Sequence, residues 1–193
     1  MLLKDIFKDI HKGIAIDKFG RYPEVEIYGL DSADISDSVI STPKTETEIV
    51  KINLPDKHLL HVGDIVIGSV PSSNTSHVAY ASSLPEYPVL LKKNIIVLRD
   101  LKAEYNPIFI AEYLENIGIK KLYTSGKLLQ SSSLTADLIK EVDIPDIPIE
   151  EQDKLVELFK PLNERTKLYK ELLENDSCIK KNLLEEVMKY DRS

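Results

Sequence analysis

Ile144-Pro145-Asp146-Ile147-Pro148-Ile149-Glu150-Glu151-Gln152 separates two kinds of sequence. On its C-terminal side, 45 residues run from Ile149 to Ser193 with no glycine and a single proline, Pro161, and are rich in leucine, glutamate and lysine. On its N-terminal side, short apolar runs alternate with Gly, Pro, Ser and Asn. Pro145 and Pro148 forbid a helix across the junction, because proline lacks an amide donor and disfavours helical geometry in the residue before it. The break predicts an α+β protein: a mixed α/β domain over residues 1–147, followed by a long C-terminal coiled-coil helix over residues 148–193.

The helix carries its own signature. Leu155, Leu162, Tyr169, Asp176, Leu183 and Tyr190 lie seven apart, with Leu158, Phe159, Leu172, Leu173, Ile179 and Val187 at the intervening three- and four-residue steps. That is a coiled-coil seam. At 1.5 Å per residue, about 40 residues span roughly 60 Å, too long to cover one small domain, so part of the stripe needs another surface. Leu155, Leu158, Phe159, Leu162, Tyr169, Leu172, Leu173, Ile179, Leu183 and Val187 are the expected pairing residues. Asp176 is a polar interruption, of the kind that sets register or marks a solvated gap. Pro161 is expected to kink the helix or split it.

Working back from the junction, residues 134–142 read as a short helix, and Asn106-Pro107 as a helix start. Asparagine caps free amides, and proline is tolerated at the first helical position. Ile110, Tyr113, Leu114 and Ile117 would form that helix's apolar face, with Gly118 ending it. Strands are expected at residues 25–28, 48–52, 64–67 and 77–80, which are short, β-branched or aromatic and fenced by turn residues. Residues 88–99 read as a hairpin or bent strand split by Lys92-Lys93-Asn94. Residues 4–12 read as a helix closed by Gly13.

Composition narrows the class. The chain has 193 residues, 42 % hydrophobic and 30 % charged, which suits a globular protein and excludes a disordered regulator. No apolar run reaches the roughly 18 residues of a membrane span, and charges sit where a signal peptide would be apolar, so a cytoplasmic protein is expected. The lone Cys178 excludes an internal disulfide and a two-cysteine zinc site. The net charge is −7 and neither part is basic, which argues against gripping nucleic acid by bulk attraction.

No catalytic constellation survives inspection. Asn106-Pro107-Ile108-Phe109 lacks the second proline of an adenine methyltransferase loop and is better read as a cap. Neither a Gly-x-Gly-x-x-Gly turn nor a phosphate loop is present, so no cofactor is indicated. Asp100-Leu101-Lys102 with Pro55-Asp56 is a poor match to a metal nuclease. His58 and His61 have ligand-like spacing but no third ligand nearby, and with His11 and His77 read as structural or surface residues; no metal site is expected.

Taken in order, several segments resemble the specificity subunit of type I restriction-modification enzymes. They are Leu3-Lys4-Asp5-Ile6 with Lys12-Gly13; Leu59-Leu60-His61-Val62-Gly63-Asp64-Ile65-Val66-Ile67; Tyr105-Asn106-Pro107 leading to Tyr113-Leu114; Ser125-Gly126 through Gln130; and the junction itself. The resemblance covers nearly the whole chain, as one target recognition domain plus one conserved-region helix, a half-length version of the usual subunit. It implies a non-catalytic protein that reads double-stranded DNA. Its partners would be adenine DNA methyltransferase subunits, a motor-nuclease subunit, and a second copy or another half-subunit paired through the helix.

Under that reading, phosphate contacts come from Lys, Arg, Ser and Thr, while base contacts need short polar or Gln and Arg side chains on loops. The expected DNA-contacting residues are Lys12, Lys18, Arg21, Lys44, Ser72, Ser73, Asn74, Thr75, Lys92, Lys93, Lys127, Gln130 and Ser131. The rival reading is a scaffold whose helix docks a protein partner.

Overall fold

The computed structural model describes residues 1–15, 24–36, 39–40, 48–51, 55–70, 75–125 and 134–190. The chain divides into two compact units, Met1–Asp153 and Lys154–Ser193.

The first unit is built on a four-stranded antiparallel sheet, β1-β9-β6-β7, formed by β1 (Phe7–Lys12), β6 (Ile65–Val70), β7 (Thr75–Tyr80) and β9 (Ile95–Leu101). A three-stranded sheet, β5-β2-β8, joins β5 (Glu48–Lys51), β2 (Glu24–Leu30) and β8 (Val89–Leu91). Here β2 runs antiparallel to β5 and parallel to β8. A small ribbon pairs β3 (Ile35–Ser36) with β4 (Val39–Ile40).

The apolar runs Ile65-Val66-Ile67 and Ile95-Ile96-Val97-Leu98 are continuous because both faces of the four-stranded sheet are covered. Val66, Ile95 and Val97 join Leu30, Val89 and Leu91 in one buried cluster on the side of the second sheet. On alternate positions Ile65, Ile67, Ile96 and Leu98 are also buried, where helices α2 (Pro107–Tyr113) and α4 (Ala136–Lys140) lie against β7 and β1. Strand side chains alternate between faces, so such a run needs two covers.

Residues 4–12 are not one helix. A single turn, α1 (Leu3–Ile6), passes directly into β1, whose Phe7, Ile10 and His11 are buried as it pairs with β9. Sheet pairing overrides the local helical spacing. Gly13 is accordingly not a helix cap: a Cβ there would stand 2.2 Å from the carbonyl oxygen of Lys92, so the position admits only glycine for reasons of space. Residues 88–99 form no hairpin either. β8 pairs with β2 and β9 with β1 and β6, so Lys92-Lys93-Asn94 turns the chain from one sheet to the other.

The Asn106 cap is as read from the sequence: its side chain accepts hydrogen bonds from the N–H of Ile108 at 2.9 Å and of Phe109 at 3.2 Å. The helix does not stop at Gly118. It continues through a π turn, Leu114–Gly118, into α3 (Ile119–Thr124). The wider turn rotates the apolar face, leaving Ile117 45 % exposed while Ile119 and Leu122 are buried. Gly118 serves close packing, since a Cβ would lie 3.0 Å from Val142 Cγ1.

The second unit continues α5 (Ile149–Tyr190), 42 residues long. Pro161 does not split it: the helix is unbroken across that position. Leu158, Leu162, Tyr169, Leu172, Leu173, Ile179, Leu183 and Val187 are all exposed, and Leu155 and Phe159 are partly so.

Candidate nucleic-acid interface

Strand directions gather one rim of the four-stranded sheet. Lys12 at the end of β1 pairs with Ile96, Gly68 of β6 pairs with Ile95, and the β6–β7 pairing ends at Val70 and Thr75. The ends of β1 and β6 therefore meet the starts of β7 and β9 on this rim, and the turn bearing Lys92 and Lys93 leads into β9 there. Gly13 N–H donates to the Ile95 carbonyl and Ile14 N–H to the Leu91 carbonyl, both at 2.9 Å, drawing the segment after Lys12 onto that turn.

The turn is pinned from below. Asn94 donates through Nδ2 to Asp31 Oδ1 at 2.6 Å and to Ser32 Oγ at 2.8 Å, and Ser32 Oγ donates to Asp31. These bonds hold the Asp31 carboxyl below its ordinary range even though partial burial pushes it up. The backbone N–H of Lys92 donates to the Leu30 carbonyl at 3.1 Å, and the Lys92 stem crosses Gly29 so closely that a Cβ there would lie 2.3 Å from its Cε. A hydrogen-bonded turn presenting exposed Lys93 and half-buried Lys92 beside exposed Lys12 can contact a phosphate backbone with its main chain already fixed.

Of the residues expected to contact DNA, the structure brings Lys12, Thr75, Lys92 and Lys93 to this rim. Lys18, Arg21, Lys44, Ser72, Ser73, Asn74, Lys127, Gln130 and Ser131 lie outside the described residues. Sequence reading missed the Asp31, Ser32 and Asn94 anchor, although Asp-Ser and Asn at segment ends are the residue types that tie turns.

The opposite end of the sheet holds a cavity of about 290 Å³ lined by His61, Asp64, Tyr80, Arg99, Asp100 and Tyr105, among others. Its most buried charges, Arg99 and Asp64, pair with each other. Arg99 donates to both carboxylate oxygens of Asp64, at 2.8 and 2.7 Å, and to the Leu59 carbonyl at 2.7 Å, with Asp64 1 % exposed. Asp64 also accepts from the N–H of His61, and Gly63 supplies the left-handed turn between them at φ 94°. That explains the Gly-Asp-Ile-Val pattern as a strand start locked by a bidentate ion pair. Among the described residues no three His, Cys, Asp or Glu side chains cluster to hold a metal. His11 donates through Nε2 to the Lys57 carbonyl at 2.9 Å, and His61 Nε2 meets Asp56. His77 Nδ1 lies 3.6 Å from Glu115, which also accepts from the N–H of Val78 and whose carboxyl burial pushes up.

No family model matches the chain. A protein of Methanocaldococcus jannaschii, provisionally named the type I restriction enzyme MjaX specificity subunit, is 29 % identical over 165 residues, 81 % of this chain and 37 % of the relative. The HsdS subunit from Thermoanaerobacter tengcongensis superposes with a TM-score of 0.61 at 19 % identity, over 89 % of this chain and 43 % of that one.

The fold is that of a type I specificity subunit.

The S subunit of the type I restriction-modification system from M. genitalium agrees, with a TM-score of 0.55 at 19 % identity over 95 % of this chain and 44 % of that one. The chain spans less than half the length of each of these relatives. Within this specificity-subunit fold, the junction motif has a visible task. Gln152, fully buried, accepts from the N–H of Asn106 at 2.9 Å and donates to the Ile147 carbonyl at 2.7 Å, while Asn106 donates to Asp153 at 2.7 Å. One glutamine thus fastens the start of α5 to the cap of α2. Among the described residues no helix is long and apolar enough to cross a membrane.

Proposed function

We propose that this chain is the non-catalytic DNA-reading part of a type I restriction-modification system. It recognises a base sequence in double-stranded DNA and directs partner adenine methyltransferase subunits, and a motor-nuclease subunit where one is present, to a split site in the cytoplasm. The observation that carries this is the likeness to specificity subunits across both the head and the helix. The rim bearing Lys12, Thr75, Lys92 and Lys93 is where the head meets the duplex. Since the chain is acidic, the partner subunits supply most of the phosphate grip and this rim supplies register and reading.

The exposed seam of α5 supports pairing with a second copy. A two-fold dimer would present two heads to inverted half-sites and read an interrupted palindrome. Helices of this length set a spacing of one to two turns of DNA, taking roughly 34 Å per turn.

The test is selection of fragments from a randomised duplex pool by the chain assembled with the methyltransferase subunits encoded beside it. Enrichment of one split motif supports the reading. A pool that stays random, from an assembly shown to contain the chain, supports the scaffold reading instead.

A further inference from the structure

One pair of strands runs past the others at the rim. β9 pairs with β6 only from Ile65 to Gly68, whereas β6 and β7 stay paired two residues further, Ser69 with Ser76 and Val70 with Thr75. At about 3.3 Å per residue this limb stands roughly 7 Å clear of β9. β7 is also the end strand of its sheet, so no strand of that sheet supports its outer edge.

What holds the limb acts at its root, where Gly68 stands opposite His77. Glu115 reaches from the π turn to the open edge of β7. Its carboxylate accepts the N–H of Val78, and its Oε1 lies 3.6 Å from Nδ1 of His77. On the β6 side, Gly68 lies so close to Ser32 that a Cβ there would stand 2.9 Å from Ser32 Cα. Ser32 also accepts from Asn94, in the turn that carries Lys92 and Lys93, so the limb and the turn share one base. The Glu115 side chain is only 22 % exposed. A carboxylate so far from water is kept there by its bonds, and these fix a direction that apolar packing leaves free.

We propose that Glu115 is a positioning residue for base reading: by holding Val78 and His77 it sets the angle at which the β6–β7 limb meets the duplex. This rests on the DNA-reading role proposed above and names a residue that serves it without touching DNA. Contacts to base edges tolerate little displacement, because hydrogen bonds weaken steeply away from their geometry. Attraction between lysines and phosphates acts over about a Debye length and tolerates much more. Loosening the limb should therefore cost sequence discrimination and leave the phosphate grip as it was.

The test compares Glu115→Ala, which removes the grip, with Glu115→Gln, which keeps an oxygen to accept from Val78. Amide hydrogen exchange of the full chain without DNA is read first. Glu115→Ala should speed exchange at Val70 and Thr75 about 10-fold or more and leave Val97 in β9 as in the parent, while Glu115→Gln stays near the parent throughout. Each protein, assembled with the methyltransferase subunits, is then titrated by fluorescence anisotropy against the selected motif and against a random duplex. Glu115→Ala should bind the motif about 10-fold to 100-fold more weakly, with random-duplex affinity and its salt dependence unchanged, and Glu115→Gln should recover most of the loss. Unchanged exchange in the limb, unchanged motif affinity, an equal loss on both duplexes, or a Glu115→Gln no better than Glu115→Ala would each overturn the assignment. A parent that shows no motif preference would overturn the DNA-reading role and this one with it, and the exchange result tells that failure apart from a Glu115 that does not hold the limb.

Discussion

The side-chain carbonyl of Gln152 accepts the backbone N–H of Asn106, and Asn106 in turn caps α2, so one fully buried amide joins the root of the long helix to the helix beside the sheet. Replacing Gln152 with leucine keeps the volume and leaves the N–H of Asn106 and the carbonyl of Ile147 without partners. Each orphaned buried group costs about 1–3 kcal/mol. Urea denaturation should show a loss of that order, and Gln152→Glu should be nearly as damaging because it cannot donate to Ile147.

Gly13 is a second structural test. A methyl group there collides with the backbone carbonyls of Leu91 and Lys92, at 2.3 and 2.2 Å, which belong to the turn on the rim. Gly13→Ala should destabilise by roughly 1–3 kcal/mol, the usual cost of overpacking, and shift amide resonances of Lys92 and Lys93 in a nitrogen–proton correlation spectrum.

The sequence and the structure agree where local signals and tertiary needs coincide. The Asn106-Pro107 cap, the helical spacing of α5 and the β-branched run of β6 are legible from local pattern alone. They part where pairing partners decide. Nothing local in Phe7–Lys12 announces that β9 will pair with it, and the split of residues 88–99 between two sheets depends on β2, distant in sequence. Ile117 was misplaced because a π turn inserts one extra residue, and only the crowding of Gly118 against Val142 hints at it. On the rim, lysines were legible as charge; the Asp31 and Asn94 anchor was not, since its members lie far apart along the chain.

If the rim positions phosphates, Lys93→Ala and Lys12→Ala should weaken binding of the assembled complex equally for specific and random duplexes. Each should reduce the slope of log affinity against log salt by about 1. Fluorescence anisotropy across a salt series measures both. A loss confined to the specific duplex would instead make these lysines base readers.

His58 makes stability depend on pH. Burial, then the neighbouring His11 and the charges of Lys57 and Arg99, hold its imidazole below the ordinary 6.5. The folded state thus binds fewer protons than the unfolded state in that region. The stabilisation is fully present above pH 6.5 and is lost as pH falls through that value toward the lower folded one. Urea midpoints should fall on acidification in this window, and His58→Gln should flatten the dependence.

The central claim is that this chain chooses where a methyltransferase acts, and a whole-genome adenine-methylation map tests it most directly. The cells should express this chain with its neighbouring methyltransferase subunits and no other specificity subunit. Methylation at one interrupted palindrome is the predicted result, establishing sequence reading and two-fold pairing together. Absence of any methylated motif, with the same methyltransferase shown active beside another specificity subunit, would contradict it.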